Sequence, residues 1–196
     1  MKKAKKILVM VAALALTAAI AVGGTLAYLT STDSVKNTFT VGKVAITLDE
    51  ADVKLDGTYE TDVNARVDAN EYHLLPGHKY IKDPIVHVAD GSEDCWVFVK
   101  LENQLVNIIA ATTIEDQMTA DDAWTLIDEE NNIYAYKAIV SAGDDVATFA
   151  DFTIDGSVKE DALAEYAGKT IVITAYAVQA DGFDTAAAAW DASFGA

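Results

Sequence analysis

Cysteine is almost missing from this sequence. Cys95 is the sole one among 196 residues, so no intramolecular disulfide can form and the fold must rest on its core. Cys95 sits in the apolar run CWVFVKL, where a lone thiol reads as a small buried hydrophobe. Histidine is nearly as scarce. His73, His78 and His87 are the full set, and HLLPGH spaces the first two around Pro-Gly rather than along one helical face. That spacing cannot supply an HExxH zinc motif, and a site joining all three to Glu71 has no local signature. Nucleophile elbows, phosphate-binding loops and GxGxxG fingerprints are absent too. The sequence therefore names no catalytic residue, metal ligand or cofactor.

Positive charge is the other shortage. There are 14 Lys plus Arg against 31 Asp plus Glu, a net charge of −17. Such a polyanion repels nucleic acid and anionic lipid, which excludes both as partners. Loops hold several carboxylate groups, Asp121-Asp122, Asp128-Glu129-Glu130 and Asp144-Asp145. None fits the calcium-loop pattern, and they read as solvated surface.

Four of the lysines stand at the start, as Lys2, Lys3, Lys5 and Lys6, and no acid precedes Asp33. An uncharged apolar run follows from Ile7 to Val22. It is shorter than the roughly 20 residues of a membrane span and has lysine on one side only. Gly23 and Gly24 break it, and Thr25-Leu26-Ala27 offers small residues where a signal peptidase reads. This predicts a signal peptide over 1–27, cleavage between Ala27 and Tyr28, and no membrane attachment afterwards. No cysteine stands directly after the run to accept lipid, and Ala192 to Ala196 carry no hydrophobic tail or basic stop, so no second anchor is expected. Removing the four lysines takes the basic count from 14 to 10 and the net charge from −17 to −21.

The remainder, 28–196, reads as a single all-β domain. Val44, Ile46 and Leu48 alternate with Ala45 and Thr47, and Val97, Val99 and Leu101 with Trp96, Phe98 and Lys100. Ile133 to Val140 and Thr170 to Gln179 are apolar on both faces, which predicts central strands. Trp124 to Ile127 forms a hairpin with Ile133 onward, and Pro76-Gly77 fits a type II turn. Two short helices are expected. Ser157 to Tyr166 carries a capping box of Ser157 with Glu160, and a helix ending at Trp190 takes Asp184 as its N-cap. Leu105 to Ala123 fits either a helical excursion or a long connection. About eight strands in an antiparallel β-sandwich with peripheral helices is the predicted architecture.

Three segments resemble the TasA/camelysin family, the exported fibre-forming matrix proteins of Gram-positive bacteria. Residues 22–50, VGGTLAYLTSTDSVKNTFTVGKVAITLDE, are similar to that family's entry pattern, with Asn37, Phe39 and Gly42 in the Asn-x-Phe-x-x-Gly places. Residues 74–103 resemble its Pro-Gly turn and paired strands, and residues 173–190 its terminal strand and helix. Residues 104–165 lie outside the likeness. The entry pattern is typical of substrates of the SipW-like signal peptidase, and it fixes the export route better than the job.

The resemblance implies a jelly-roll sandwich that polymerises into biofilm-matrix fibres, with itself and accessory matrix proteins as partners. It further implies that the mature N-terminus, about 28–40, is a donor arm completing the sheet of the next copy. The residues make sense of that: Leu29, Val35 and Phe39 share one parity of a nearly uncharged stretch. Other readings are a non-polymerising surface adhesin or spore-coat component, and a camelysin-like metalloendopeptidase. The missing HExxH speaks against the enzyme.

Overall fold

The computed structural model describes residues 42–195. The expected cleavage residues Ala27 and Tyr28 and the arm residues Leu29, Val35 and Phe39 lie outside that range.

Among the described residues ten strands pair antiparallel throughout: β1 (Ile46–Ala51), β2 (Arg66–Val67), β3 (Lys79–Ile81), β4 (Ile85–Val88), β5 (Cys95–Asn103), β6 (Trp124–Asp128), β7 (Ile133–Tyr136), β8 (Asp145–Ala147), β9 (Asp151–Thr153) and β10 (Ile171–Gln179). They form one four-stranded sheet in the order β2-β1-β4-β8, a second in the order β10-β5-β7-β6, and the pair β3-β9. Three short helices accompany them among the described residues: α1 (Ile114–Thr119), α2 (Glu160–Leu163) and α3 (Ala186–Phe194). None is long and apolar enough to cross a membrane.

Strand β5 shows how alternation builds the core. Cys95, Val97, Val99 and Leu101 enter a large apolar cluster with Val86 of β4, Val146 of β8, Tyr80 of β3 and Phe152 of β9, so one core draws on all three sheets. Trp96 and Phe98 leave by the opposite face and join Ile133, Val178 and Ala189 in a second cluster. There α3 closes the layer: Trp190 lies 5.1 Å from Phe98 and 5.5 Å from Tyr176.

Several local expectations hold. Pro76-Gly77 makes the type II turn, with Gly77 at φ 72° and the His78 N–H donating to Leu75 O at 3.2 Å. The hairpin β6–β7 forms with a bulge between Leu126 and Asp128. Leu105 to Ala123 is the helical excursion, where Thr113 and Asp116 build a reciprocal capping box on α1 while Ile114 and Met118 bury one face. Gly57 also has a structural reason. It sits at φ 73°, and a Cβ there would lie 2.7 Å from the Tyr80 Cα.

Others are corrected. Ser157 and Glu160 form no capping box; α2 begins after Lys159 without a side-chain cap, and the Ser157 N–H donates to Asp155 Oδ1 at 2.7 Å. The Asx turn of Asp155 claims the amide first. The N-cap of α3 is Thr185, accepting from the Ala188 N–H, rather than Asp184. Of the two strands expected to be central, β7 is internal but β10 is an edge. Apolarity on both faces reports what covers the faces, and α3 covers one face of β10; it carries no information about a lateral neighbour.

Candidate functional site

The densest polar arrangement among the described residues crosses the sheet β2-β1-β4-β8. Arg66 of β2 donates from Nε to Asp49 Oδ1 at 2.7 Å and from Nη1 to Asp83 Oδ2 at 2.9 Å. Its Nη2 bonds the backbone carbonyls of both acids, at 3.1 and 3.0 Å. Asp49 then meets His87 Nε2 at 3.1 Å, and His87 Nδ1 meets Asp145 Oδ1 at 2.6 Å. Charges alternate along this row, Asp145, His87, Asp49, Arg66, Asp83. Strand register explains it: His87 stands opposite Thr47 on β1 and Asp145 on β8, which brings Asp49 to its diagonal.

The protonation of His87 follows from its partners. A neutral imidazole donates through one nitrogen only, and a lone pair aimed at a carboxylate repels it. Both nitrogens here face carboxylates, so the imidazolium fits. Partial burial pulls the His87 pKa down, but the bonds and charges of Asp49 and Asp145 outweigh it and raise the pKa above the usual histidine value. Asp49 mirrors this. Burial pushes it up, and His87 and Arg66 hold it below the ordinary carboxylate range.

A second group lies on the inner side of β1. Glu50, 5% exposed, pairs with Lys82, 9% exposed. The other Glu50 oxygen, Oε1, accepts from Asn70 Nδ2 at 2.9 Å. Asn70 is itself fixed: its Nδ2 also donates to Ala51 O at 2.8 Å, and its Oδ1 accepts from the Val53 N–H at 3.0 Å. Tyr72 closes over the group. Its hydroxyl donates to Ile81 O at 3.0 Å, and its phenol pKa is raised by burial and then by the charges of Glu50 and Asp83.

The three histidines do not converge. His78 Nε2 bonds Asp56 O at 2.8 Å, and Tyr80 Oη donates to the His73 carbonyl at 2.7 Å. No group of three or more His, Cys, Asp or Glu is placed to hold a metal among the described residues. The loop acids have local duties: Asp128 accepts from the amides of Glu130 and Asn131, and Asp144 from that of Ser141. Asp145, read from sequence as surface, is exposed as expected and also bonds His87 at the end of the charged row. Cys95 is fully buried, and burial, then the charge of Asp94, raises its pKa.

The third feature is an edge. β10 pairs along all nine residues with β5 and with no other strand among the described residues. Its side chains are mostly half-buried, and Val172 is 42% exposed. β1 approaches β10 without sharing a ladder, and Val44, Ile46 and Leu48 are likewise only partly covered. A nine-residue strand with one unpaired side offers main-chain donors and acceptors to another extended chain.

Comparison with protein-family models, with curated proteins and with solved structures finds no match to this chain.

Proposed function

We propose that this chain is a secreted structural subunit of extracellular fibres, released after Ala27 and assembling head to tail by strand addition. In this reading the body is a jelly-roll-like sandwich, and residues 28–40 of one copy pair with an open sheet edge of the next. The single observation that carries it is the long, apolar, half-covered β10, one side of which pairs with no strand among the described residues. A nearly uncharged arm with Leu29, Val35 and Phe39 on one parity suits such an edge, since main-chain bonds give affinity and alternate side chains fill pockets. Contact of an arm with a different surface on its neighbour is heterologous. It does not close and so propagates as a filament. The resemblance of residues 22–50, 74–103 and 173–190 to the TasA/camelysin family supports the same reading, with the SipW-like peptidase as processing partner.

Negative-stain microscopy of the secreted protein tests it. Filaments of uniform width are expected. Monodisperse particles that bind cells without polymerising would favour an adhesin, and chelator-sensitive casein cleavage would favour the enzyme.

A further inference from the structure

Glu50, Lys82 and Asn70 combine an amine, a primary amide and a carboxylate between them, inside a fold built from strands. Both nitrogens are tied to one carboxylate, Lys82 Nζ at Oε2 and Asn70 Nδ2 at Oε1. The amine and the carboxylate are buried. Tyr72 stands over them, edge-on to Tyr80 and Phe152 at 5.7 and 5.5 Å. Among the described residues Glu50 is the one acceptor of the Lys82 ammonium.

We propose that Lys82 and Asn70 join in an intramolecular amide, formed by the protein itself with Glu50 as the proton carrier. Passage of a proton from Lys82 Nζ to Glu50, its hydrogen-bond partner, leaves a neutral amine beside a neutral acid. The amine lone pair attacks Asn70 Cγ, forming the new C–N bond while the carbonyl electrons move to Oδ1. The Val53 N–H, already 3.0 Å from Oδ1, stabilises that developing oxyanion. Glu50 returns its proton to Nδ2, to which Oε1 is already bonded, and the amine's second proton goes back to the carboxylate. The Cγ–Nδ2 bond breaks and ammonia leaves. One amine and one primary amide become one secondary amide and one ammonia, with no oxidant, reductant or metal required. The placement on three elements gives the approach its order: Glu50 from β1, Lys82 from the residue after β3, and Asn70 from the loop between β2 and β3. The product would clip the segment 70–82 covalently beside β1. This inference does not depend on fibre formation.

Intact-mass measurement of the full secreted chain, followed by proteolysis and tandem mass spectrometry, tests it. The expected result is a mass below that of the sequence by one ammonia, and one branched peptide joining Lys82 to Asn70. Lys82→Arg and Glu50→Gln should each restore the full mass; because the branched peptide is sought in the unaltered protein, a variant that misfolds leaves the test intact. A full-mass protein whose Lys82 is cut by trypsin after unfolding would overturn the proposal. So would ammonia loss that persists in Lys82→Arg, which marks an Asn70 succinimide, or a loss of water linking Lys82 to Glu50.

Discussion

Asp49 and Glu50 are consecutive in β1, and their carboxylates serve opposite sides of the sheet. Asp49 lies in the charged row with Arg66 and His87, while Glu50 is buried against Lys82. Two acids of one strand thus have different energetic roles, set by the period-two alternation of side chains. Removing Glu50 by Glu50→Ala strands a buried ammonium and should cost about 3–5 kcal/mol of stability. Asp49→Ala exposes its partners to water and should cost about 1 kcal/mol or less. Urea unfolding of the two variants, made in otherwise identical protein, gives the comparison.

Stability should depend on pH through the same row. The His87 pKa is raised on folding, so its contribution is complete below the unfolded value of about 6.5 and is lost as pH rises through the folded value. The Asp49 pKa is lowered, so its contribution is present above about 3.9 and is lost as pH falls through the folded value. A melting-temperature profile should therefore be highest in mildly acidic solution and decline toward alkaline pH. His87→Gln should flatten the alkaline decline and shrink the acid limb to the part that Arg66 supplies.

How much of this was readable in advance follows from what alternation encodes. Both faces of β5, the hairpin β6–β7 and the turn at Pro76-Gly77 follow from local pattern, because side-chain period and turn chemistry act over a few residues. The edge position of β10 does not, since lateral neighbours are chosen by distant strands. The charged row joins residues as far apart as Asp49 and Asp145, and no local spacing connects them. Two signals nevertheless point to it and to the buried group: Arg66 is the sole arginine in the chain, and Glu50 continues the inward parity of Val44, Ile46 and Leu48. The expected α2 capping box fails because Asp155 competes for the Ser157 amide, a contest that a four-residue motif cannot register.

Cys95 should be chemically silent. It is fully buried with a raised pKa, so little thiolate forms and none is reachable. Alkylating reagent should fail to label it until the protein is unfolded, and Cys95→Ser should still be secreted and assemble. Oligomers that vanish on reduction would instead reveal an intermolecular disulfide.

N-terminal sequencing of protein recovered from the culture medium should begin at Tyr28, reading Tyr-Leu-Thr, because Thr25 and Ala27 supply the small residues a signal peptidase needs. A start beyond Val35 would remove the proposed arm along with the signal.

Assembly itself is the most direct measurement. Like-charged bodies repel over a Debye length of about 8 Å at physiological salt, so added salt should speed polymerisation of a mature chain as acidic as this one. Phe39→Asp should slow it by placing an unpaired charge against the proposed acceptor edge. Light scattering and microscopy of the mature chain and of one lacking residues 28–36, followed across salt, decide the matter. The account predicts filaments from the first and a folded, non-polymerising monomer from the second. Identical filaments at identical rates from both would contradict it.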